Sequence, residues 1–193
     1  MNIGIYIYDQ AEVLDFSGPF EVFSTASRLS DPPNIFNVFL VSEHGNMVTA
    51  RGGYQVKPYY GFSTHPPIDL LIIVGGVHTH EMRKQRVLSW VKETSEKAQL
   101  VASVCTGVFI LAEAGILSNQ KVTTHWEDIP DLRNKYPELQ VLENQRWVEA
   151  ENIITSGGIS SGIDMSLYLV SKLGGMALAE KTAKQMEFVW NLN

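Results

Sequence analysis

Leu100-Val101-Ala102-Ser103-Val104-Cys105-Thr106-Gly107 is the stretch on which the reading of this chain turns. Leu100 to Val104 reads as a buried strand. The apolar residues after Gly107 continue as a helix towards Gly115, a residue suited to ending one. Between strand and helix lies Cys105, the only cysteine among 193 residues. A nucleophile placed on such a sharp strand-to-helix turn is presented at the top of a sheet. Gly107 leaves room for the turn. The start of a helix carries free amide hydrogens and a partial positive charge, and both favour thiolate over thiol. A free cysteine also serves as a small buried hydrophobe. Its place at a strand end argues for the nucleophile.

The same alternation extends in both directions. Ile3-Gly4-Ile5-Tyr6-Ile7 reads as a first strand, followed by a helix beginning near Pro19, whose missing amide hydrogen suits a first turn. Val38 to Val41 is a second strand, and Met47 to Lys57, with Arg51-Gly52-Gly53 at its centre, reads as a hairpin. Leu70-Leu71-Ile72-Ile73-Val74 lacks polar alternation, as a strand covered on both faces should. Val87, Leu88 and Val91 mark another helix. Further strands fit Lys121 to Thr124, Val141 to Leu142 and Ile153 to Thr155. Helices fit Ser161 to Leu173 and Ala177 to Leu192. Strands alternating with helices predict an α/β fold, a flavodoxin-like three-layer α/β/α sandwich around a mostly parallel sheet, spanning residues 1–193 as one domain. Ligands of such sheets bind beyond the carboxyl ends of the strands.

Composition narrows the classes. Hydrophobic residues make up 45% and charged residues 19%, and the formal net charge is −6. No basic stripe offers itself to nucleic acid or an anionic membrane. No run of 18 apolar residues and no signal-peptide pattern is present, so a cytoplasmic protein is expected. One cysteine cannot close an internal disulfide.

Other strand ends could share a pocket with Cys105. Asp15, in Leu14-Asp15-Phe16-Ser17-Gly18-Pro19, either caps the first helix or exchanges protons with a substrate. Gly75 and Gly76 follow the apolar strand and could bring bare amides to a developing anion. His125, in Thr123-Thr124-His125-Trp126, ends a later strand, and His125-x-Glu127 has the spacing of a catalytic relay. Gly157, Gly158 and Ile159 could form one wall. Ser161 and Asp164 fit a capping box, which makes Asp164 structural. His78 and His80 lie in a loop without further ligands nearby, so no metal is expected.

In this order, these segments resemble the ThiJ/PfpI family of the class I glutamine amidotransferase-like superfamily, in particular its isonitrile hydratase branch. The resemblance covers nearly the whole chain. It implies Cys105 as nucleophile, Asp15 as the acid beside thiol or substrate, Thr106 in support, and a homodimer acting on a small molecule without a cofactor. Protease-like members carry His directly after the cysteine, where this chain has Thr106, so peptidase or amidase activity is not expected. The hydratase branch implies hydration of an isonitrile to an N-substituted formamide. Alternatives are a glyoxalase or deglycase-like activity on small carbonyl compounds, and a non-catalytic redox or small-molecule sensor. Val74 before Gly75, and His78 and His80 after it, depart from the hydratase pattern and bear on substrate identity.

Overall fold

The apolar runs without alternation form the middle of the sheet. The computed structural model describes residues 1–192. Its strands are β1 (Asn2–Tyr6), β2 (Asn37–Ser42), β3 (Val48–Thr49), β4 (Gln55–Val56), β5 (Tyr60–Gly61) and β6 (Leu70–Ile73). They continue with β7 (Leu100–Val104), β8 (Lys121–Val122), β9 (Gln140–Val141), β10 (Trp147–Ala150) and β11 (Ile153–Ser156). The helices are α1 (Val13–Leu29), α2 (Gln85–Ser95), α3 (Gly107–Glu113), α4 (Ile129–Lys135), α5 (Ser161–Gly174) and α6 (Met176–Gln185).

Seven strands make one sheet in the order β10-β11-β7-β6-β1-β2-β5. Its pairings are parallel except β10 with β11 at one edge. Every residue of β6 and β7 is buried. Helices α1, α5 and α6 pack together, and α2 with α3 forms the other helical layer. This is the expected flavodoxin-like α/β fold.

Register explains why distant segments meet. Tyr6 pairs with Ile73, Ile73 with Ser103, and Ser103 with Thr155. Strands β1, β6, β7 and β11 therefore end at one level, and the loops that follow them converge on one edge of the sheet.

Several local expectations need correction. Helix α1 begins at Val13, so Pro19 lies inside it. Its ring removes only the bond to the carbonyl four residues back, that of Asp15, and packing of the buried helix face outweighs that loss. The stretches around 121 and 141 pair with each other as β8 and β9 in a separate two-stranded sheet. The last helix stops at Gln185 instead of reaching Leu192, because Glu187 takes a positive φ of 50° and turns the chain back. The Ser161–Asp164 capping box does not form. Ser160 occupies the cap position without a side-chain cap bond, and Asp164 faces Arg146. β5, β10 and α4 had no clear counterpart in the sequence pattern.

Candidate active site

Cys105 sits at the turn between β7 and α3 with φ 56°, a conformation that costs a non-glycine residue about 1–2 kcal/mol. Its surroundings hold it there. Its amide donates to the Ser156 and Gly157 carbonyls at 3.2 and 3.3 Å, and its carbonyl accepts from Thr124 Oγ1 at 2.9 Å. At Gly107 a Cβ would fall 2.2 Å from the Ile73 carbonyl oxygen, so only glycine lets the elbow seat against β6. Cys105 is buried, with 7% of its surface exposed.

Asp15 is not the helix cap, since that position belongs to Glu12. It lies in the first turn of α1, fully buried, and its Oδ2 accepts the Gly75 amide at 3.1 Å. The Cys105 thiol stands within hydrogen-bonding reach of the carboxyl. Oδ1 has no hydrogen-bond partner. Burial raises the Asp15 pKa from 3.8 to about 7, against the Gly75 bond, which lowers it. Burial also pushes the Cys105 thiol up, and the charge of Asp15 adds to the effect. The Thr106 amide pulls the other way and loses. This overturns the expectation of a thiolate favoured by the helix start. Helix α3 is only seven residues long, and its dipole cannot offset desolvation beside a carboxyl group. At neutral pH the thiol keeps its proton and the carboxyl titrates.

Gly75 and Gly76 approach the elbow closely. A Cβ on Gly75 would lie 2.6 Å from the Thr106 nitrogen and 2.8 Å from the Cys105 Cβ. Their amides are nonetheless engaged, Gly75 with Asp15 and Gly76 with Thr106 Oγ1 at 3.0 Å. The Thr106 hydroxyl donates back to the Gly76 carbonyl at 3.1 Å. These amides hold the acid and the loop instead of waiting for an anion.

His125 joins the group from the far side. A Cβ on Gly158 would meet His125 Cδ2 at 2.2 Å and Cys105 Sγ at 3.1 Å, so the bare backbone of Gly158 separates imidazole, thiol and the outer wall. His125 Nδ1 lies 3.4 Å from Asp128 and 4.0 Å from Glu127, so Asp128 is the nearer carboxylate. Three residues on from His125, it was the relay candidate that a search for His-x-Glu passes over. Gly157 and Gly158 also border a cleft of about 630 Å³ with Thr124, Trp126, Ile129 and Arg146. Trp126 is 75% exposed and Ile159, beside the wall, 37%.

His78 stacks on Phe109 at 4.7 Å, and burial lowers its pKa. His80 is exposed. Among the described residues, no three His, Cys, Asp or Glu side chains are grouped to hold a metal ion.

The chain is similar to known proteins. Isonitrile hydratase of Pseudomonas putida is 32% identical over 190 residues, 97% of this chain and 78% of that protein. The HTH-type transcriptional regulator GbdR of Pseudomonas aeruginosa is 24% identical over 178 residues, and this chain spans about half of it (48%). A solved ThiJ/PfpI family protein from Pseudomonas syringae superposes with a TM-score of 0.87 at 25% identity, over 99% of this chain and 76% of that one. The model of the DJ-1/PfpI family matches residues 1–172. This chain belongs to the DJ-1/PfpI family.

Proposed function

We propose that the protein hydrates an isonitrile to an N-substituted formamide, with Cys105 as nucleophile, Asp15 as proton carrier and Thr106 as the residue that fixes the loop beside them. One observation carries the reading: a buried carboxyl with a pKa of about 7 faces a protonated thiol at a strained elbow. An isonitrile carbon must gain both a nucleophile and a proton. The Asp15 carboxylate takes the thiol proton and passes it to that carbon as the sulfur–carbon bond forms, giving a thioimidate. Water then adds to the C=N carbon and the carbon–sulfur bond breaks. The sulfur recovers its proton and the formamide leaves. The sum is one isonitrile and one water, with no redox step. Covalent capture divides one hard hydration into two easier additions.

The cleft beside Gly158 gives the R group a place to lie, against Trp126 and Ile129. The similarity to isonitrile hydratase supports this choice over a carbonyl substrate. Leu14 and Ile159 expose apolar surface, in keeping with a homodimer. A reduced thiol suits the cytoplasm. No helix among the described residues is long and apolar enough to cross a membrane.

The test is turnover of a panel of isonitriles, 2-oxoaldehydes and amides, read as formamide, 2-hydroxy acid and carboxylic acid respectively. We expect turnover of isonitriles, unchanged by chelators and absent in Cys105→Ala. Turnover of oxoaldehydes alone would replace the hydratase with a glyoxalase. No turnover at all, with reversible oxidation of Cys105, would make the protein a sensor.

A further inference from the structure

Asp164 is fully buried, and nothing in the proposed chemistry uses it. Its carboxylate nevertheless collects donors from two distant segments. Arg146 sends Nε to Oδ2 at 2.7 Å and adds Nη2 to the same oxygen. The amide of Asn191 donates to Oδ1 at 2.9 Å, and the Trp190 indole N–H donates to the Asp164 carbonyl at 3.2 Å. A carboxylate stripped of water is tolerated only when its lone pairs are filled in this way.

Arg146 in turn brackets the wall of the active site. Its carbonyl accepts the Gly157 amide at 3.0 Å, and its Nη2 reaches Ser160 Oγ at 3.3 Å, so it holds both ends of the 157–160 loop. Gly157 accepts the Cys105 amide, and Gly158 abuts the sulfur and His125. An unbroken chain of contacts therefore runs from the tail through Asp164, Arg146 and Gly157 to the nucleophile. The tail segment, residues 186–192, lies beyond the 172 residues matched by the family model.

We infer that Asp164 is a positioning residue, which through Arg146 presses the Gly157–Gly158 wall against Cys105, and that docking of Trp190 and Asn191 on the same residue sets that position. The inference rests on Cys105 being the reactive group but not on which substrate it attacks. With the wall held, the sulfur is almost covered. With the wall released, it opens to small reagents and loses its alignment with Asp15.

The experiment is iodoacetamide alkylation of Cys105 in the full chain, read by mass spectrometry, with circular dichroism to confirm folding. Arg146→Lys keeps the charge and loses the planar fork. Asp164→Asn keeps the shape and loses the charge. Asn191→Pro with Trp190→Phe deletes both tail donors and leaves the Asp164–Arg146 pair intact. We expect alkylation to accelerate about threefold or more in each, the scale of a contact chain of this kind. The isonitrile kcat should fall roughly tenfold while KM changes little, as misalignment of reacting groups requires. Alkylation within threefold of the parent in folded variants overturns the inference. If the Asp164 or Arg146 variants fail to fold, the tail double variant decides alone. Because alkylation needs no substrate, an absence of isonitrile turnover in the parent would sink the hydratase reading and leave this test standing.

Discussion

Replacing Asp15 by Asn should make the protein more stable and nearly inactive at the same time. The carboxyl has a pKa of about 7 in the fold against 3.8 without it. That difference corresponds to about 4 kcal/mol between the two protonation states. The sign follows from linkage: the folded protein holds this proton more tightly than the unfolded chain does. The associated stability is full below pH about 4 and falls as pH rises, until it is lost above about 7. At pH 8 the parent therefore bears a buried carboxylate held by a single backbone N–H and a thiol. Asn keeps the shape and its oxygen can still accept from Gly75, without the charge. About 4 kcal/mol is the ceiling of the gain, because the Asn amide needs an acceptor that the thiol supplies only weakly. A gain of about 1–2 kcal/mol, or roughly 2–8 °C in Tm for a chain of this size, is the expected result at pH 8.

Activity should move the other way, by roughly 10²–10⁴ in kcat, because Asn cannot relay a proton. The assays are thermal melts from pH 4 to pH 8 and formamide release at pH 7. The fall in parent Tm between pH 4 and pH 7 should flatten in the variant. A variant that melts lower than the parent at pH 8 would refute the buried-charge argument. One that keeps most of its kcat would remove Asp15 from the chemistry.

Alkylation of Cys105 in the parent at pH 7 should be slower than that of a free thiol with pKa about 8.5, and Asp15→Asn should speed it by removing the nearby charge. A parent rate above the free-thiol rate contradicts the raised thiol pKa. Thr106→Val leaves the Gly76 N–H without its partner, while the Gly76 carbonyl keeps the His78 amide, and should cost about 1–3 kcal/mol, seen as a lower Tm in thermal melts. An unchanged Tm would mean that the Gly76 loop finds other partners. Gly158→Ala places a methyl group 2.2 Å from His125 Cδ2, so it should cost about 1–3 kcal/mol by overpacking and lower kcat/KM. Parent-like kinetics in that variant would show that His125 and the wall tolerate displacement.

What the sequence disclosed depended on how local the cause was. Uninterrupted apolar runs at 70–73 and 100–104 reveal covered parallel strands, because burial of both faces leaves no place for alternation. Pro19 is at home in a first helical turn and so suggests a start near it, while α1 is fixed by the face it buries along Val22, Phe23 and Ala26. Strand β10 has one buried half and one half-buried half, and only its pairing with β11 makes it a strand. The tail beyond Gln185 has helical composition, but its end is set by a turn at Glu187 and by contacts with Asp164, more than 20 residues away.

At the site, residue identities were legible and their electrostatics were not. Cys105, Asp15, Gly75 and Gly158 each follow or precede a strand, which is a local property. The partners of the glycine amides, and the carboxyl beside the thiol, come from the register that aligns Tyr6, Ile73 and Ser103. That register brings an acid and a sulfur together in a buried place, where burial raises the proton affinity of both and the charge of Asp15 raises that of the thiol further. A lone thiolate at a helix start would react with many electrophiles. A thiol that ionises only as its proton passes through Asp15 reacts with substrates that accept that proton, which is what an isonitrile carbon does. The burial that hides reactivity from a reader of the sequence is thus the same feature that would confine it to one kind of substrate.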